Sequence, residues 1–388
     1  MTDKIYYFDN AATTPLNPDI LDAMLPYLRD NFGNASSIYS IGQKSRKAID
    51  QAREKVAKAL NAESDEIHFT GSGTEADNWA LKGVAFTNQS KGKHIITSSI
   101  EHHAILHTCK YLEEKGFEVT YLPVAKNGIV QIEDLEKAIR TDTILISIMT
   151  ANNEIGTIQP IKEIGQIATE KDIVFHTDAV QAIGSLEIDV KDLGIDLLSL
   201  TAHKFNGPKG TGVLYIKKGT KIENLMEGGA QEFKKRPGTE NTAGIVGLGK
   251  AIEIANQNLE KNVLRVKNLR DYAIEQIQKN IPDTQLNGDP EKRLPGNVNI
   301  SFKYVEGESI LLMLDAMNVC ASSGSACTSG SLEPSHVLRA LKIPHAIAHG
   351  SIRFSLSKDN TKAEIDYLVS CLEKIIPKLR SMSPLHKK

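Results

Sequence analysis

Seven short apolar runs alternate with helical patterns through the first two-thirds of the chain, and few architectures accommodate that alternation. The runs lie at 66–70, 94–97, 118–122, 143–149, 173–177, 197–200 and 212–216. Helical patterns fill 45–60, 76–85, 104–115 and 161–171 between them. Strands that are apolar throughout, separated by helices, predict an α/β fold whose mostly parallel seven-stranded sheet is covered on both faces. Ligands of such sheets collect at the carboxyl ends of the strands. A long helical stretch, 244–279, stops at Ile281-Pro282-Asp283, and short strands and a helix follow at 297–302, 351–356 and 361–379. These predict a smaller α+β domain.

The bulk numbers narrow the functional classes. A chain of 388 residues exceeds one small core, and 40% hydrophobic with 24% charged residues excludes a disordered or collagen-like polymer. The net charge of -2 gives no electrostatic ground for nucleic acid as a direct ligand. No apolar run approaches the roughly 18 residues of a bilayer span, and the first residues lack a basic segment followed by an apolar one. Only Cys109, Cys320, Cys327 and Cys371 occur, with no CxxC pair, so neither a disulfide framework nor a zinc site is expected and the cytoplasm is the expected compartment. A near-match to a nucleotide phosphate loop at 244–251 lacks its final Ser/Thr and lies in a helical pattern, so nucleotide binding is not expected there.

Chemistry concentrates at the strand ends. The run 197–200 delivers Thr201, His203 and Lys204 into a turn ahead of the glycine-rich 207–212. Another strand ends at Asp178, with Gln181 just beyond; a carboxylate there can hold a pyridinium nitrogen protonated and make the ring an electron sink. The turn Gly71-Ser-Gly73-Thr74 opens a helix, where backbone N–H groups form a phosphate cradle. Glu101-His102-His103 ends a further strand; no Cys/His cluster adjoins it, which favours an aromatic face for stacking over metal ligation. Asn152 and Asn153 close the next. Taken singly, each could be a cap or a solvated turn. Five together describe a phosphate cup, a stacking ring, a ring-nitrogen acid and a Schiff-base lysine.

These segments, with Asp9-Asn10-Ala-Ala-Thr-Thr-Pro15, Gly73-Thr-Glu-Ala-Asp-Asn78, Ala151-Asn-Asn-Glu-Ile-Gly-Thr157, Gly238-Thr-Glu-Asn241, Ser322-Ser-Gly-Ser-Ala-Cys-Thr328 and Glu333-Pro-Ser-His-Val-Leu-Arg339, resemble the cysteine desulfurases of the IscS/NifS type, within the class V aminotransferases. The resemblance implies pyridoxal 5'-phosphate on the type I transferase fold. The large domain would span 16–260, and 1–15 with 261–388 would form the small one. It implies Lys204 as Schiff-base lysine, Asp178 at the ring nitrogen, Gln181 at the ring hydroxyl and His102 on the ring face, with an acid/base role besides. Gly73, Thr74, Thr201 and His203 would hold the phosphate, and Thr239 would reach the site of the partner subunit in a homodimer. Asn153 and Arg353 would hold the carboxylate of L-cysteine. Independently, strict alternation in 351–356 sets Arg353 on the face opposite Ile352, Phe354 and Leu356.

Cys327 lies in a Ser/Gly-rich stretch, about 321–332, whose composition predicts a mobile loop. By the resemblance it accepts the sulfur as a persulfide and passes it on for iron–sulfur cluster assembly or tRNA thiolation, with a cluster touching it only on a scaffold partner. Cys320 reads as the apolar end of a strand, and Cys109 and Cys371 as helical and buried or incidental. Two departures from the family pattern stand out: the order Thr70-Gly-Ser-Gly-Thr74 and the proline of Arg236-Pro237-Gly238-Thr239. The rivals are another reaction of the same cofactor, such as transamination or selenocysteine lysis, a partner protein without turnover, and a metal-binding module. A thiol in a polar loop favours sulfur transfer over the first, Lys204 speaks against the second, and ligand spacing against the third.

Overall fold

The computed structural model describes residues 4–323 and 335–384; Cys327 lies outside them. Its twelve strands are β1 (Tyr6–Tyr7), β2 (Ile67–Thr70), β3 (His94–Ser98), β4 (Glu118–Leu122), β5 (Thr143–Ser147), β6 (Val174–Asp178), β7 (Leu197–Thr201), β8 (Gly212–Ile216), β9 (Thr284–Leu286), β10 (Asn297–Phe302), β11 (Val319–Cys320) and β12 (Ser351–Ser355).

Seven strands form the central sheet in the order β2-β8-β7-β6-β5-β3-β4. The five from β7 to β4 are parallel, whereas β8 runs antiparallel to both β7 and β2. Chain length explains the exception. A parallel crossover needs a dozen or more residues, and the link from β7 to β8 holds fewer. The link is the turn that carries Lys204, closed by Gly210 at φ 77°.

Side chains alternate across the sheet, so each strand feeds two cores. Leu197, Ile95 and Leu145 pack with Trp79, Leu81 and Val84 of the helix Gly73–Asn88 and with Ile105 and Leu112 of the helix His103–Glu114. Leu198, Ile96 and Ile146 face the other way, into a core shared with Ile49 and Val56 of the helix Ser40–Leu60 and Leu248 and Ile252 of the helix Thr242–Gln257. Each fully buried Leu or Ile contributes about 1.5–3 kcal/mol.

The stretch 244–279 is two helices, Thr242–Gln257 and Leu259–Asn280, broken at Asn258. The break separates allegiances. Leu248 and Ile252 belong to the core beneath the large sheet, whereas Leu269, Ala273 and Ile277 belong to a further core with Val298, Ile300, Ile352, Phe354 and Leu372. Phe8 joins that further core, drawn in by parallel pairing of β1 with β11. An antiparallel sheet, β12-β10-β9, presents Arg353 on the face away from Ile352 and Phe354. Among the described residues no helix is long and apolar enough to cross a membrane.

Candidate active site

A cavity of about 400 Å³ opens at the carboxyl ends of the parallel strands. Lys204, Asp178, Gln181, His102, Thr74 and Arg353 all line it. Gly73, Thr201, His203 and Asn153 line it as well.

Its cup is the start of the helix Gly73–Asn88. Ser72 caps the helix by accepting the Glu75 N–H at 3.1 Å, and Arg236 grips the Glu75 carboxylate at 2.8 and 3.2 Å. A Cβ on Gly73 would come within 2.8 Å of a Val180 methyl, so this turn closes on the cavity only with glycine. Thr201 donates its hydroxyl to the Thr211 carbonyl at 2.8 Å, and His203 Nδ1 meets the Thr13 hydroxyl at 3.1 Å.

Lys204 leaves β7 on a single 3₁₀ turn and is half-buried. Its Nζ donates to the carbonyls of Ala11 and Ala12 at 2.7 and 2.9 Å, and Gln181 donates to the Ala11 carbonyl at 3.0 Å. The segment 9–15 therefore walls the site from the amino-terminal end of the chain.

The acids sit behind. Asp178 ends β6, buried, and accepts the Val180 N–H at 2.9 Å; burial pushes its carboxyl up to about 6, against the pull of that N–H and of Lys204. Asp77, on the capped helix, is also buried, and its Oδ1 has no hydrogen-bond partner. Burial and the neighbouring Asp178 raise it well above the ordinary carboxylate range. His176 lies 3.7 Å from that oxygen, fixed between the hydroxyls of Ser147 and Ser199 at 2.9 and 3.0 Å. Burial pushes the His176 imidazole down to about 3, so it is neutral at pH 7.

His102 caps the helix His103–Glu114, its Nδ1 accepting the Ala104 N–H at 3.1 Å, so the neutral ring carries its proton on Nε2. Burial, then the charge of Lys204, push it down to about 4. Beneath it Glu101 is wholly buried, accepting the Ser98 hydroxyl at 2.6 Å and the Met149 N–H at 3.0 Å, and burial raises it to about 8.

Arg353 is no solvated strand arginine: it is 4% exposed. Nη1 donates to the Asn153 carbonyl and Nη2 to Asp9 Oδ1, both at 3.0 Å, while Nε is buried without a partner. Asn153 thus meets Arg353 through its backbone. Glu154 beside it is buried, bonded to the Ser335 hydroxyl, and raised to about 7 by burial.

Two predicted residues stand apart. Thr239 is exposed and does not line its own chain's cavity. Cys327 and its predicted mobile loop lie outside the described residues. Cys109 and Cys371 are buried; Cys320 pairs with Tyr7 in β11. The near-match to a nucleotide loop is interior helix. Among the described residues no three His, Cys, Asp or Glu are arranged to hold a metal ion. In the sequence Asp77, Glu101 and Glu154 carry no role; an acid two to four residues from a strand-end glycine or asparagine is the only signal for Asp77 and Glu154, and Glu101 carries none beyond its place at a strand end.

The donor set fits pyridoxal phosphate. A glycine-floored helix N-terminus suits a dianionic phosphate. The poorly solvated carboxyl of Asp178 suits a pyridinium N–H, and Lys204 suits an aldehyde. Comparison agrees with the chemistry. The chain is 61% identical over 386 residues to a cysteine desulfurase IscS of Methanosarcina thermophila, covering 100% of this chain and 95% of the relative. A solved NifS-like protein superposes with a TM-score of 0.92 at 39% identity, over 97% of this chain and 100% of that one. A structure described as SspA in complex with cysteine gives 0.80 at 39% identity, over 92% and 99%. Residues 6–368 match the model of the class-V aminotransferases, and the chain belongs to that family.

Proposed function

We propose that this protein is a cysteine desulfurase that uses pyridoxal phosphate to convert L-cysteine to L-alanine, leaving the sulfur on Cys327 as a persulfide. The observation that carries the reading is that one cavity gathers Lys204, Asp178 and Arg353: an amine for the cofactor, an acid for its ring nitrogen and a cation for a substrate carboxylate. Sulfur as the group transferred rests on the Cys327 motif and on the activity named for relatives that cover the chain from end to end.

Bound pyridoxal phosphate supplies an electron sink for the pair left on Cα when its proton departs. The protein's residues do the rest. Gly73, Thr74, Thr201 and His203 would hold the phosphate, Gln181 the ring hydroxyl, and His102 would stack on the ring. Asp178 keeps the ring nitrogen protonated. Arg353, with Asn153, orients the carboxylate. Lys204 Nζ would be the base that removes the Cα proton. His102, neutral at pH 7, lines the same cavity and takes the acid/base role in the remaining proton transfers. The Cys327 thiolate attacks the substrate sulfur, the Cβ–S bond breaks, Cβ gains a proton, and alanine leaves. Cysteine plus thiol equals alanine plus persulfide, so no oxidant is needed.

The persulfide passes to an acceptor, an iron–sulfur scaffold or a tRNA-thiolation protein, in a reducing cytoplasm. The active unit is a homodimer in which Thr239 reaches the phosphate of the other subunit's cofactor. In support, Thr239 is exposed and outside its own cavity, while Ile38 at 94% and Phe32 at 79% exposure are apolar surface that a second copy would cover. Division into 16–260 and 1–15 with 261–388 is supported by the helix break at Asn258 and the separate core beyond it.

The test incubates cofactor-loaded protein with L-cysteine and measures alanine and protein-bound persulfide. Lys204→Ala is expected to lose the visible absorbance of lysine-bound cofactor. Cys327→Ser is expected to keep it and form no persulfide; persulfide on that variant would refute the role of Cys327.

A further inference from the structure

Arg353 is already engaged before any substrate arrives. Asp9 Oδ1 takes Nη2 at 3.0 Å, and the adjoining Nε–H is buried and unpartnered. Nε and Nη2 together form the side edge of the guanidinium, which grips a carboxylate with two parallel bonds. That edge is half used: one donor is held by a carboxylate of the protein and the other by nothing. The other oxygen of Asp9 accepts the Ser322 hydroxyl at 2.8 Å. Ser322 in turn is fixed to Arg353 through both backbone bonds, Ser322 N–H to the Arg353 carbonyl at 3.2 Å and Arg353 N–H to the Ser322 carbonyl at 2.7 Å. Asp9 therefore has two seats, one on the cation and one on a hydroxyl that cannot drift away from it.

We infer that Asp9 is a resident carboxylate, occupying Arg353 until a substrate carboxylate takes both donors of the side edge, whereupon Asp9 remains seated on Ser322. The inference rests on the reading of Arg353 as the carboxylate-binding group. Asp9 touches no substrate; it is a positioning residue that sets how strongly an incoming carboxylate must bind. An amine without a carboxylate cannot displace it, so Asp9 adds discrimination at the cost of affinity. It also gives the enclosed Arg353 charge a directly bonded carboxylate.

The experiment titrates the full, cofactor-loaded chain with L-alanine and with ethylamine, the same amine minus its carboxylate, following the cofactor's visible absorbance. Asp9→Asn removes the competing charge, and L-alanine is expected to bind about fivefold tighter or more, as loss of an opposing ion pair implies, with ethylamine unchanged. Ser322→Ala removes the second seat, and L-alanine is expected to bind several-fold weaker, again with ethylamine unchanged. Unchanged or weaker L-alanine binding in Asp9→Asn overturns the inference, because an Asp9 that only props Arg353 would give that result. Equal shifts for both amines overturn it too, by placing the effect at the cofactor. Should Asp9→Asn fail to load cofactor, the Ser322→Ala titration decides alone: a Kd for L-alanine unchanged or lowered sinks the two-seat arrangement. Arg353→Gln separates the two claims. If it keeps the preference for L-alanine over ethylamine, the carboxylate assignment itself fails; if it loses that preference while Asp9→Asn binds no tighter, only the role of Asp9 falls.

Discussion

A single buried charge shows how far one residue's surroundings decide its worth. Arg53 is 2% exposed and meets Glu232 in two parallel bonds at 2.8 and 2.7 Å, and Glu232 also accepts the Phe69 N–H at 2.8 Å. The guanidinium lies between the rings of Phe69 and Phe233 at 4.7 and 4.8 Å. Removing one partner of such a pair strands the other. Arg53→Met is expected to cost about 3–5 kcal/mol, read as a lowered denaturant midpoint, and to unseat the segment that carries Thr239. None of this is legible in the sequence, where Arg53 and Glu232 are two charges 179 positions apart. Lys204 and Asp178 were legible because each ends an apolar strand, and strand ends converge by topology. Asp77, Glu154 and Asp9 were not: local pattern says nothing about burial or about which cation a carboxylate will meet.

Elements were more readable than their neighbours. Each of the seven apolar runs is a strand, since runs of that length between helices have one way to bury both faces. The antiparallel direction of β8 escaped notice because it depends on counting the β7–β8 link against a crossover's minimum length. The break at Asn258 escaped because the helical pattern continues through it while the core beneath changes. At the cup, element and site coincide. Ser72→Ala removes the cap of the helix whose first turn floors the cavity, and is expected to cost about 1 kcal/mol of stability. Cofactor affinity should fall with it, since the cap fixes the turn of Gly73 and Thr74 that lines the cavity; thermal melts with and without pyridoxal phosphate would show the loss to be larger in its presence.

Across the whole molecule, buried titratable groups oppose one another. His68 and His176 are pushed down to about 3, and His102 and His203 to about 4, all mainly by burial. The unfolded chain takes up protons at these sites below about pH 6.5, so their contribution is intact above that and is lost as the pH falls. Glu101 and Glu154, raised from 4.5 to about 8 and about 7, run the other way: above pH 4.5 the folded chain holds protons that the unfolded chain has released, so their contribution declines from there and is gone once the pH has passed those raised values. Cofactor-free protein is expected to lose stability both toward acid and toward pH 8, and Glu101→Gln with Glu154→Gln should flatten the decline between about pH 6.5 and 8 in a series of thermal melts.

The pairing of β1 with β11, together with Phe8 in the core built by residues 266–376, has a consequence for the order of events at the ribosome. Tyr6 and Tyr7 are made more than three hundred residues ahead of their partners Val319 and Cys320. Closing so long a loop is slow, and the large sheet can assemble meanwhile without it. The wall of carbonyls at Ala11 and Ala12, on which Lys204 and Gln181 rest, is therefore set only after Val319 and Cys320 have been made. Residues 6–12 wait for partners from far along the chain, and the active site waits with them.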